Sequence, residues 1–264
     1  MISITSGQLD AWLAAFVFPL ARIFGLMATA PVFNNAAIPM RIRLVAGLVI
    51  TIALVPVLPR IATIPAGSWI GLMVLVQQML IGIVLGFTLR IAFATVDLAG
   101  ELIGMQMGLS FAVAYDPQNA GQTPVLAEFM GLLTTLLFLA MNGHLMIIAV
   151  LVESFTLVPV STQLFHSAGY ATLLRWAGVI FASGLLLSLP LIATLLIANI
   201  ALGVLSRIAP QLNLFAVGFP VTMIVGYFVL MFSLPYFGVA MEGLFHQGFR
   251  AMEQVLQAGT GIPL

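Results

Sequence analysis

The 264-residue chain is 62% hydrophobic and 6% charged, with a mean hydropathy of +1.21, whereas about a quarter of the residues in a soluble domain carry charge. Net charge is zero, cysteine is absent and all the basic residues are arginine. Disulfides, thiolate metal sites and a cysteine nucleophile are therefore excluded, and no basic cluster supports nucleic-acid binding or polybasic lipid anchoring. The chain reads as an integral membrane protein.

No Lys or Arg precedes Arg22, so the N-terminal apolar run lacks the charged leader of a secretory signal peptide and is expected to be retained. This first segment, residues 9–32, contains Pro19 and Arg22 and ends in the turn-rich stretch 31–39. Arg41 and Arg43 lead into residues 44–58, short for a span of about 20 residues. Pro56, Pro59 and Pro65 form the next connection. A helix starting near Ser68 or Trp69 is expected to run through Arg90 toward Glu101, beyond any single membrane thickness. Residues 126–158 form another apolar segment, with Glu128 at its start and Glu153 near its end, and residues 159–169 read as a connector. Residues 176–206 are free of charge, about 46 Å if helical against a hydrocarbon core of about 30 Å, with Pro190 expected to kink them. Residues 208–241 hold Pro220 and Pro235, which argue against a straight span. Only residues 242–264 have ordinary polarity, and no internal repeat is visible.

Threading six segments through a bilayer puts Arg41, Arg43 and Arg207 on one side and Arg60, Arg175 and Arg250 on the other. No positive-inside signal remains. Either the segment count differs from six, or the chain takes its final position from partner subunits.

The central stretch, residues 100–124, reads GELIGMQMGLSFAVAYDPQNAGQTP. It is rich in glycine and proline, polar from Asp116 to Thr123, and apolar from Met105 to Tyr115. Lipid cannot satisfy irregular backbone, so such a segment must be buried in protein or line a wet cavity. It is expected to be re-entrant or pore-filling, the alternative being a surface loop with a few apolar residues. Met105, Met107 and Phe111 could form an adaptable contact surface, or serve simply as core. Gly82 and Gly86, and Gly100, Gly104 and Gly108, recur at a spacing that permits close helix approach.

Arg90, Asp97 and Glu101 fall within roughly 20° of one helical stripe. They would face a wet pore wall or intersubunit ion pairs, or bulk water if the helix has left the membrane. Glu128 and Glu153 read as interfacial. His144, His166 and His246 form no metal-binding spacing, and no phosphate-binding loop or nucleophile elbow occurs. No enzyme activity and no cofactor are expected.

The run MQMGLSFAVAYDPQNAGQTPVL, together with PVFNNAAIPMRIRL earlier in the chain, resembles the FliR family of flagellar and virulence type III export-gate subunits. GLSFA followed by DP is the specific part. The resemblance implies an all-α membrane protein acting as one domain, residues 1–264, with long kinked helices packed in a helical gate assembly with several FliP and FliQ copies. It implies that the central segment plugs the channel, with Met105, Met107, Phe111, Tyr115, Asp116, Pro117, Asn119 and Gln122 as plug residues and Arg90, Asp97, Glu101 and Glu128 as intramembrane or intersubunit charges. FlhA and FlhB, unfolded export substrates and the bacterial inner membrane at the centre of the flagellar basal body are the implied partners and place. Energy would come from a separate ATPase and the proton-motive force. A chain ending at Leu264 is not expected to be the form fused to FlhB. The alternatives are a small-solute transporter with a midplane site at Arg90, Asp97 and Glu101, and a purely structural scaffold.

Overall fold

A computed structural model describes residues 6–35, 37–59, 64–109, 114–116, 121–211 and 214–261. The fold is all-α: the described residues form eight helices, α1 (Ser6–Thr29), α2 (Met40–Leu54), α3 (Trp69–Gln106), α4 (Val125–Ala140), α5 (Gly143–Leu157), α6 (Ser167–Ala177), α7 (Val179–Ile208) and α8 (Leu214–Gly259), with one short ribbon of β1 (Ala114–Asp116) and β2 (Gly121–Thr123) between α3 and α4. Four helical stretches among the described residues are long and apolar enough to cross a membrane, or five if α4 and α5 form one broken span. The six-segment threading is corrected accordingly. At 15 residues, α2 reaches only about 22 Å.

Helix α3 starts at Trp69 and passes Arg90, as expected, and its 38 residues extend about 57 Å. The apolar stretch 126–158 instead breaks between α4 and α5, where Asn142 adopts φ 57. Short polar side chains tolerate this left-handed conformation better than others. Pro190, Pro220 and Pro235 lie inside continuous helices, while the other interruption falls at Gly178, between α6 and α7. The polar tail continues α8. It buries Phe249, Met252, Val255 and Leu256 and exposes Arg250, Gln254 and Gln257, the alternation of an amphipathic helix.

Two compact units form, one from Met1–Ile91, Asn142–Ala177 and His246–Leu264, the other from Ala92–Met141 and Gly178–Phe245. In the first, α1 and α3 approach backbone to backbone. A Cβ on Gly82 would collide with the Arg22 carbonyl oxygen, and one on Gly86 would stand 2.6 Å from that of Leu26. Glycine spacing here does create the close approach that it permits. Trp176 Nε1 donates to the Thr88 carbonyl at 2.9 Å, tying α6 to α3, and the His166 N–H donates to the Gly259 carbonyl at 2.9 Å, tying the end of α8 to the start of α6.

Arg22 is wholly buried in this unit. Its Nε donates to Gln78 Oε1 at 2.8 Å, and Nη2 donates to the same oxygen and to the Val158 carbonyl at 2.8 Å. Nη1 donates to the Ser154 carbonyl at 2.7 Å and to its hydroxyl at 3.0 Å. A guanidinium has five N–H donors, so these five bonds satisfy it completely. The accepting carbonyls belong to the C-terminal end of α5, the negative end of its dipole, and the Phe155 ring centroid lies 4.1 Å from Cζ, within cation–π range. Arg22 thus joins α1, α3 and α5.

The second unit centres on Phe93, Phe138 and Phe245, whose ring centroids lie 5.1 to 5.5 Å apart, within the range of favourable aromatic pairing. A Cβ on Gly100 would stand 2.5 Å from Cα of Ala127, so α3 and α4 also touch through backbone.

Replacing Arg22 by methionine keeps the unbranched apolar stem but removes the guanidinium, and strands the Gln78 and Val158 acceptors, at a cost of about 1–3 kcal/mol each. Thermal unfolding in detergent should show a markedly lower midpoint for Arg22→Met than for Arg207→Met, since Arg207 is exposed. Equal midpoints would mean that the guanidinium is hydrated.

Candidate functional site

Helix α3 ends where the central segment begins, and glycine sets the end. Gly108 adopts φ +80 and its N–H donates to the Met105 carbonyl at 3.1 Å. A left-handed residue just past a helix terminus is the common way to stop it, and glycine takes that conformation without a Cβ clash. A side chain would also be crowded, because a Cβ there would stand 3.0 Å from the Phe219 ring.

Beyond this turn the chain forms an antiparallel ribbon, with Ala114 paired to Thr123, Tyr115 to Gln122 and Asp116 to Gly121. The segment expected to be irregular therefore satisfies part of its own backbone. Helix α4 then starts after Pro124, with Glu128 in its first turn, where a carboxylate suits the positive end of the helix dipole.

The candidate plug residues separate into distinct environments. Met105 is exposed and Met107 is fully buried. Tyr115, Asp116 and Gln122 are placed by their backbone pairing, and Phe111, Pro117 and Asn119 lie outside the described residues. Arg90, Asp97 and Glu101 are exposed along α3, in the row that their spacing requires. Asp97 Oδ1 lies 3.3 Å from the place a Cβ on Gly131 would take, close to α4. Glu128 is exposed as well.

Phe219, Thr222 and Gly226 of α8 were not among the sequence candidates. A Cβ on Gly226 would stand 2.7 Å from both Cγ and Cε of Met107. The Thr222 hydroxyl lies 3.4 Å from the Met107 carbonyl. The available signal was a single glycine in the bulky run TMIVGYF, which alone says nothing of its neighbour. Beside this contact, Leu109, Leu126, Phe129, Tyr227, Leu230 and Met231 help to line an apolar cavity of about 320 Å³. Among the described residues, no three His, Asp or Glu side chains gather to hold a metal ion.

Residues 13–248 match the family described as bacterial export proteins, family 1. The chain belongs to this family. It is 42% identical to the flagellar biosynthetic protein FliR of Escherichia coli (strain K12) over 256 residues, 97% of this chain and 98% of that protein. It is 43% identical to FliR of Pectobacterium carotovorum over an equal length, again 97% and 98% of the two chains. With FliR of Bacillus subtilis (strain 168) it shares 26% identity over 246 residues, 92% of this chain and 94% of that one. The resemblance drawn from the central motif thus extends along nearly the whole chain. Bacterial export protein of the FliR type, membrane helices and flagellar biogenesis fit together: the chain is a membrane component of the flagellar export apparatus.

Gly108→Ala should destabilise the protein by about 1–2 kcal/mol through its left-handed backbone alone, and further through Phe219. Gly104→Ala is the matched control, since its Cβ would meet only Leu126 Cβ at 3.7 Å. Calorimetry on the detergent-solubilised protein should separate the two; matching midpoints would show that the turn at Gly108 does not need glycine.

Proposed function

We propose that the chain forms and closes the channel through which unfolded flagellar proteins are exported, and that residues 100–124 are the plug. The observation that carries the reading is the ribbon-bearing segment between α3 and α4, set in an otherwise helical, apolar chain and rooted by the burial of Met107. Met105, Met107, Phe111, Tyr115, Asp116, Pro117, Asn119 and Gln122 are its gate residues. The whole chain acts as one membrane-embedded domain of the gate, has no catalysis of its own, and works with FliP and FliQ, and with FlhA and FlhB, in the bacterial inner membrane. Arg90, Asp97, Glu101 and Glu128 face the neighbouring subunits or the aqueous path.

The energies are compatible with a reversible gate. A closed fraction of 99% requires a gap of about 2.7 kcal/mol, half the swing between 1:99 and 99:1. Burying one methionine fully contributes about 1.5–3 kcal/mol. A handful of such contacts is enough to hold the segment shut, and few enough to be overcome by a substrate.

Changing Met107, Phe111 and Tyr115 together to alanine should let small dyes enter cells while the complex still copurifies with FliP and FliQ. An assembled triple variant that excludes dye as the wild type does would remove the gate role. Charge placement gives a separate test: Arg90→Leu should impair assembly or export far more than Arg250→Leu, since stranding a buried partner costs about 3–5 kcal/mol. Equal tolerance would put the α3 row in bulk water, and purification as a lone monomer or homodimer would favour a solute transporter.

A further inference from the structure

We infer that Gly226 of α8 is the seat that fixes the foot of the central segment by holding Met107 in place. The inference rests on the gate reading above and adds the positioning residue against which the gate is braced. Three features hold Met107. Its side chain is fully buried over a position where any Cβ would come within 2.7 Å of Cγ and Cε and 2.8 Å of Sδ. Its carbonyl lies 3.4 Å from the Thr222 hydroxyl, whose single proton is shared with the nearer Phe219 carbonyl at 3.0 Å, and its N–H donates to the Ile103 carbonyl at 2.9 Å, the last regular turn of α3.

Phe219, Thr222 and Gly226 are three and four residues apart, so they share one face of α8. That face meets the chain at two consecutive residues of opposite character. Met107 is held by packing, donor and acceptor. Gly108 is left-handed, its N–H donates to the Met105 carbonyl at 3.1 Å, and a Cβ on it would stand 3.0 Å from the Phe219 ring. Glycine changes its backbone angles with little steric resistance, whereas moving Met107 would expose its whole side chain. Met105, two residues back along the helix, is exposed and takes no part.

The absence of cysteine from the chain permits a clean test in the assembled complex. A sulfur at position 107 would take the place of Met107 Cγ, 2.7 Å from the Cβ position of residue 226, which suits a disulfide with Cβ atoms about 3.5–4.5 Å apart. Oxidised Met107→Cys/Gly226→Cys should link within one chain, seen by mass spectrometry of the digested complex, while its export and dye influx stay the same before and after reduction. Failure to link, or a link that halts export until it is reduced, overturns the inference, because Met107 would then be elsewhere or would have to move. Gly226→Leu supplies the opposite arm. By forcing Met107 off its seat it should raise dye influx on the order of tenfold in complexes that retain their subunits, and an assembled, tight Gly226→Leu complex counts against the seat. Deletion of residues 109–121 separates the two ideas. A tight deletion variant removes the gate reading and the inference with it; a leaking deletion beside a tight Gly226→Leu removes the seat alone.

Discussion

A methionine pressed against a glycine, Met107 on Gly226, stands where the long helix α3 stops and the central segment starts. Because the contact leaves no space for a Cβ, it acts as a positional constraint more than as a source of binding energy. Downstream of it come the left-handed turn at Gly108, the ribbon that pairs Ala114–Asp116 with Gly121–Thr123, and the return into α4. The ribbon also answers the problem posed by irregular backbone in an apolar protein. Paired strands satisfy part of their own N–H and C=O groups, which lipid cannot do.

Elsewhere the chain handles polarity by the same rule, keeping it internal and paired. Arg22 has no carboxylate among its bonded partners, yet every donor of its guanidinium is used, three of them on Ser154 and Val158 at the end of α5 and two on Gln78. One charge therefore links three helices without a counterion, using the helix end as its negative pole. Outward surfaces show the reverse pattern. Only 17% of the most apolar window in residues 167–208, and 22% of that in residues 217–259, is buried within the chain. Apolar surface on this scale requires lipid or protein against it, in keeping with a membrane component of an export apparatus.

Much of this organisation is legible in the sequence where a single helix decides the matter. The start of α3 near Trp69 and its passage through Arg90 follow from charge-free length, and the exposed row of Arg90, Asp97 and Glu101 follows from spacing alone. Close approach at Gly82 and Gly86 follows from small residues one turn apart. Features that depend on another element do not show. The break at Asn142 is partly legible, since Asn142-Gly143 is a turn dipeptide within the apolar stretch 126–158, whereas the turn between α6 and α7 is marked only by the lone Gly178. Gly226 is invisible, since its meaning is the methionine more than a hundred residues before it. The ordinary polarity of the tail is, over residues 242–259, that of the exposed face of α8.

The central claim is that the segment between α3 and α4 keeps a channel shut. Its most direct test is the conductance of the purified export-gate complex in a planar bilayer, with and without residues 109–121. The account predicts a silent membrane for the intact complex and a steady ionic current for the shortened one, at equal subunit composition. Silence from both would contradict it and leave the ribbon as a connection between two helices.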